Sequence, residues 1–211
     1  MYIFSRNVVV TGDPRKSRPL AMAMAELVSR KTQLQVSVWT TRFGAPVGTL
    51  SYTTLLQSLA ELDATDSRLS ADDEYLSLVA EFQPFVAGPP VDRAVEVLHN
   101  AGGEYRRADV GGVAHLVTAK VANARFGAAV KWSVEMADLV AEITGHPGMF
   151  GRDVAGDFGS VAWIATMPDV ATFDTANEAL AKDPRYLAKL DDMGDIFLPG
   201  SGAISILRRV A

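Results

Sequence analysis

The sequence predicts an α+β protein: two tandem β-α-β-β-α-β repeats of about 100 residues each, forming one α+β barrel. Three observations carry this. Strand-like and helix-like patterns alternate in the same order twice, residue types recur at a fixed spacing, and a glycine-rich joint lies midway. The repeats are placed at residues 1–100 and 113–211, with residues 101–112 as linker.

The first repeat opens with Tyr2-Ile3-Phe4-Ser5-Arg6-Asn7-Val8-Val9-Val10, rich in β-branched and aromatic residues and closed by Thr11-Gly12-Asp13-Pro14. This is a strand ending in a turn. Leu20, Met24, Leu27 and Val28 recur at helical spacing, which predicts a helix from about Arg18 to Arg30 with Pro19 in its first turn. Leu34 to Trp39 alternates as a half-buried strand does. Phe43 to Gly48 is a hairpin connection, and Leu50 to Leu56 the third strand. Helical segments fill Gln57 to Glu81, and Ala94 to Leu98 is the fourth strand.

The second repeat follows the same order. His115–Val121 is a strand and Ala128–Ile143 a helix that stops at Gly145-His146-Pro147-Gly148. Met149–Val154 and Ser160–Ala165 are the central strands. Phe173–Ala181 and Asp183–Asp191 are helices, and Ala203–Val210 the last strand. This order is the ferredoxin-like signature. Gly44 and Gly156 correspond across 112 residues, and Tyr75-Leu76 and Tyr186-Leu187 across 111. Asn100 to Asp109, with Gly102-Gly103 at its centre and Arg106-Arg107 beyond, is the joint. The helices of such a unit cover one sheet face only. Burying the other face against the second sheet would give a barrel with an apolar interior.

Composition removes several functions. The absence of cysteine excludes disulfides, thiolate metal sites and a cysteine nucleophile. With only three histidines, no metal site is expected, and no cofactor is called for. A net charge of −5 argues against a nucleic-acid partner. No apolar run is long enough for a membrane helix, and the first residues read as a strand, so a cytoplasmic location is expected.

The stretch Ser160-Val161-Ala162-Trp163-Ile164-Ala165-Thr166-Met167-Pro168-Asp169, continuing through Phe173 and Asn177 to Asp183-Pro184-Arg185-Tyr186, carries a closer likeness. It resembles antibiotic-biosynthesis-monooxygenase-like and NIPSNAP-like members of the dimeric α+β barrel superfamily. In that superfamily the two ferredoxin-like units usually come from two chains. Haem-degrading relatives use an asparagine, a tryptophan and a helix histidine together. Asn7 and Trp163 are counterparts of the first two, whereas the helix here offers Asn177 in place of histidine.

The resemblance implies a barrel that binds a small apolar or aromatic organic molecule between the repeats. It also implies a cofactor-independent monooxygenase-like enzyme of secondary metabolism. On that reading Trp39, Tyr52 and Trp163 wall the pocket, and Asn7 and His115 are its polar, catalytic participants. Trp163 and Tyr52 fall at equivalent strand positions, 111 residues apart. The same residues also fit a filled core, in which case the protein would be a non-catalytic stress-type or interaction protein. Either form leaves outer surfaces for a homodimer.

Overall fold

The computed structural model describes residues 1–103 and 107–211. Glu104, Tyr105 and Arg106 of the expected linker lie outside the described residues. The element order is β1(Tyr2–Val10), α1(Pro14–Thr32), β2(Ser37–Phe43), β3(Thr49–Leu56), α2(Leu59–Ser70), α3(Asp73–Phe82) and β4(Val86–Ala101), followed by β5(Val113–Lys120), α4(Phe126–Thr144), β6(Gly148–Asp153), β7(Ser160–Met167), α5(Val170–Lys182), α6(Pro184–Asp191) and β8(Ala203–Arg209). The strand order β1-β3-β2-β8-β5-β7-β6-β4 closes on itself, as the fold class read from the sequence requires.

The chain forms two compact units, Met1–Ala94 with Val210–Ala211, and Val95–Arg209. In unit 1, β1 pairs antiparallel with β3 from Tyr2↔Leu56 to Val9↔Thr49, and β3 pairs with β2. Side chains alternate across a strand, so this register sorts residues onto two faces. Val8, Val10, Leu50 and Tyr52 share the face packed against α1, where Val8 forms a core with Ala21 and Phe82. Asn7, Ser51 and Trp39 occupy the opposite face. There the Ser51 hydroxyl donates to Asn7 Oδ1, and Trp39 Nε1 donates to Thr53 Oγ1 at 2.8 Å.

In unit 2, β5 pairs with both β7 and β8, and β7 pairs with β6. Trp132, Met136, Ala137 and Ala141 of α4 pack against Phe150, Val161, Trp163 and Phe197. The indole of Trp163 meets Trp132 at 6.2 Å and both Phe150 and Phe197 at 5.5 Å between ring centroids. The contacts with Trp132 and Phe197 are edge-to-face, and such packing adds to the area buried.

The two units repeat each other almost position for position. Thr49–Leu56 and Ser160–Met167 begin and end 111 residues apart, as do the starts of β1 and β5 and of α2 and α5. Helices α1 and α4 are each 19 residues long.

Three expectations are corrected. Helix α1 starts at Pro14, capped by Asp13, whose carboxylate accepts from the Arg15 amide at 2.9 Å. Pro19 therefore lies in the helix interior, not in its first turn. The apolar periodicity begins only at Leu20 and hid the cap. Strand β2 begins at Ser37, which leaves Leu34 and Val36 in the approach to it. Strand β4 runs for 16 residues, Val86–Ala101, where the sequence predicts only Ala94 to Leu98.

Candidate functional site

Each unit holds an apolar cavity between its helices and the helix-covered face of its sheet. The unit 1 cavity is about 390 Å³. Its floor is Phe4, Arg6 and Val8 of β1 with Tyr52 and Thr54 of β3, and its roof comes from α1, α2 and α3, including Thr65 and Tyr75. The unit 2 cavity is about 520 Å³. Its floor is His115 and Val117 of β5 with Trp163 of β7, and its roof is Met136 and Val140 of α4 with Tyr186 and Leu190 of α6. Both volumes fall within the range of small-molecule sites.

Alternation explains why these residues meet. His115 pairs with Ala165 and Val117 with Trp163, so all four belong to one face of the β5–β7 ladder. The His115 ring stands edge-on to Phe173 at 5.3 Å. Burial among apolar neighbours disfavours its charged form and lowers its pKa below the usual histidine value. Neutral imidazole is therefore its resting state at pH 7. Trp163 Nε1 is buried and has no hydrogen-bond partner among the described residues, although its neighbour Trp132 donates to the Lys189 carbonyl at 3.1 Å. A buried donor left unpaired costs about 1–3 kcal/mol.

The unit 1 cavity differs in its polar groups. Arg6 is held in a two-point pair by Asp92, with Nε–Oδ1 at 2.8 Å and Nη2–Oδ2 at 2.7 Å. Burial pushes the Tyr52 phenol well above its usual value, so it stays protonated. Tyr52 Oη, Thr54 Oγ1 and Thr65 Oγ1 are all buried with no partner among the described residues.

The sequence-predicted residues are thus divided. His115 and Trp163 meet in the unit 2 cavity, and Tyr52 lies in the unit 1 cavity at the position equivalent to Trp163. Asn7 and Trp39 line neither, since both occupy the sheet face turned away from the unit 1 helices. Tyr52 and Trp163 therefore each face the helices of their own unit, where the sequence placed them as one wall inside the barrel. Of the other histidines, His99 stands with Nε2 2.7 Å from Asp138 Oδ1. Thr54 and Thr65 were missed. Threonine is common in strands and at helix surfaces, and nothing in their spacing marks a shared cavity.

The asparagine, tryptophan and histidine of haem-degrading relatives are not assembled in either cavity. Asn7 faces away from the unit 1 site, Trp163 belongs to unit 2, and Asn177 is an exposed residue of α5. These residues do not fit haem. Among the described residues no group of three or more histidine, aspartate or glutamate side chains could hold a metal ion, and no helix is long and apolar enough to cross a membrane.

No family model matches the chain, and no curated protein matches it. Solved structures do. A protein provisionally assigned as a monooxygenase from Fusobacterium nucleatum subsp. nucleatum aligns at a TM-score of 0.72 with 9% identity, covering 100% of this chain and 92% of that one. A second provisionally assigned monooxygenase, from Lactobacillus acidophilus, aligns at 0.62 with 15% identity over 99% and 93%. An anthrone oxidase-like protein aligns at 0.62 with 13% identity over 100% and 92%. At these identities the likeness is one of fold. The chain shares the α+β barrel fold of these proteins along essentially its whole length.

Proposed function

We propose that the protein binds a planar, largely apolar organic molecule in the unit 2 cavity and acts on it as a cofactor-independent monooxygenase-like enzyme. The observation that carries this reading is a neutral histidine, His115, in the floor of an apolar cavity walled by the Trp163 indole. Support also comes from the fold shared with an anthrone oxidase-like protein. A filled core is the less favoured reading, because a cavity of about 520 Å³ is large enough for a tricyclic ligand.

The chemistry follows from the groups present. His115 as neutral imidazole accepts a proton from an acidic C–H of the substrate, and the apolar walls keep water from competing for that base. The Trp163 indole packs against the planar ring system over which the negative charge then spreads. The carbanion combines with molecular oxygen to form a C–O bond. Loss of water from the resulting peroxide leaves a carbonyl. One oxygen atom enters the product and the other departs in water, so a CH2 group and O2 become C=O and H2O. The product is a quinone-like ketone.

The test is oxygen consumption with a hydroxylated anthrone. His115→Ala is expected to lower kcat by about 100-fold or more. Trp163→Ala removes the aromatic wall, and is expected to lower kcat/KM by about 10-fold. Unchanged consumption in His115→Ala would remove the histidine from the reaction.

A further inference from the structure

We infer that the Tyr186 hydroxyl is the hydrogen-bond donor of the unit 2 cavity, and that it binds the carbonyl oxygen of a cyclic aromatic ketone whose acidic C–H faces His115. The inference deepens the unit 2 reading and rests on it for the reaction step, whereas the hydrogen bond itself is tested without turnover.

The lining of the unit 2 cavity contains two titratable side chains, His115 in the floor and Tyr186 in the roof. The other polar groups there are engaged or turned away. Trp163 Nε1 is sealed by protein atoms. The Ser201 hydroxyl donates to the Leu198 carbonyl at 2.7 Å and accepts from the Lys120 amide at 3.1 Å. Thr118 alternates with Val117, which turns its side chain to the opposite face of β5. Tyr186 differs from all of these. Its hydroxyl bonds to no described residue, yet its oxygen is not one that protein atoms cover.

The repeat shows which way such a phenol points. Tyr75 stands 111 residues earlier, in unit 1, and interacts electrostatically with Tyr52 in the floor there. Tyr52 is the counterpart of Trp163, and Tyr186 and Trp163 pack against the same core of Trp132, Phe150 and Phe197. Both tyrosines thus reach from the helices towards the same floor position.

The setting suits a donor. Burial raises the Tyr186 phenol above its usual pKa, so it keeps its proton at pH 7 and does not compete with His115 as a base. The ring is also held in place. Asp183 caps α6 by accepting from the Arg185 amide at 2.8 Å, and Arg185 Nη1 donates to Glu142 Oε1 of α4 at 2.6 Å. A donor fixed before the substrate arrives costs little reorganisation as charge develops.

The substrate class follows from these groups. When neutral His115 takes the C–H proton, the electron pair of that bond passes through the conjugated rings to the carbonyl oxygen, which becomes an enolate oxygen. Tyr186 donates to that oxygen and keeps its own proton. Hydrogen bonds to charged oxygen are stronger than those to a neutral ketone, so the tyrosine acts more on the transition state than on binding. No lysine or arginine is among the lining residues, which disfavours a carboxylate in place of the ketone.

The test uses 9-fluorenone, a planar ketone without an acidic C–H, and reads its carbonyl stretch by isotope-edited infrared difference spectroscopy. A donated hydrogen bond lowers that frequency. The stretch of the bound ketone is expected to rise in Tyr186→Phe and to stay unchanged in Tyr75→Phe, the matched control in a unit where Phe4 replaces the base. With the hydroxylated anthrone, Tyr186→Phe should lower kcat by about 10-fold or more while KM changes by less than about 3-fold. Because phenylalanine removes an oxygen that bonds nothing in the free protein, the Tm should hold.

Fluorenone that does not bind, or a bound stretch identical in wild type and Tyr186→Phe, would overturn the proposal. A shift confined to Tyr75→Phe would place the ketone in unit 1 and overturn it equally, as would a fall in the Tm of Tyr186→Phe. A stretch that depends on Tyr186 in a protein that consumes no oxygen would keep the donor and remove the oxidation reading, so the two failures are told apart.

Discussion

His115 derives its character from position more than from residue type. On β5 it faces the helices of unit 2 and meets the Phe173 ring, so its charged form is desolvated without a carboxylate to offset the loss. The direction of that shift has a kinetic consequence. A lowered pKa keeps the imidazole unprotonated to a lower pH than a free histidine would be, so the base form persists through neutrality. The acidic limb of kcat/KM is therefore expected below about pH 6.5, the ordinary histidine value. A pH–rate profile whose acidic limb lies above that value would contradict the burial argument. The pairing of Trp163 with Tyr52 was legible in the sequence from their spacing alone. Which sheet face they occupy was not. Alternation separates two faces but does not say which one the helices cover, and this is why Asn7 and Trp39 were grouped with residues on the other side of their sheet.

At the scale of elements, the cavities depend on how their covering helices are fixed. Helix α2, which carries Thr65, begins at Ser58. The Ser58 hydroxyl accepts from the Glu61 amide at 3.2 Å, while the Glu61 carboxylate accepts from the Gln57 amide at 2.8 Å. This is a serine cap reinforced by the glutamate three residues on. Ser58→Ala is expected to cost about 1 kcal/mol in chemical denaturation. Gly48 closes the β2–β3 hairpin with φ 89°, and a Cβ there would stand 2.3 Å from the Val10 carbonyl oxygen. Gly48→Ala is accordingly expected to cost more than the cap, about 1–3 kcal/mol or above. No measurable loss in either variant would show that these ends are held by other contacts. The strands and helices were readable in order because hydrophobic period and turn residues agree along most of the chain. Their ends were less so. Asp13-Pro14 serves as a helix cap, though in the sequence it reads equally as the close of a strand. Pro89-Pro90 is tolerated in β4, though proline removes the donor a ladder uses.

For the whole molecule, the duplication is both the most legible feature and the frame in which the two cavities differ. The same framework recurs at an offset of 111, yet one cavity floor carries His115 and Trp163 where the other carries Phe4 and Tyr52. Regular spacing reveals a repeat because both copies obey the same packing rules. Divergence between the copies is silent in pattern, since a threonine and an alanine satisfy the same helix or strand position. We propose that chemistry occurs on the helix-covered face of unit 2. A crystal structure of the complex with a hydroxylated anthrone tests it most directly. The ligand is expected against Trp163, beneath α4, with the carbon to be oxidised turned towards His115. A ligand seated instead against Asn7 and Trp39, with the unit 2 cavity empty, would contradict the account.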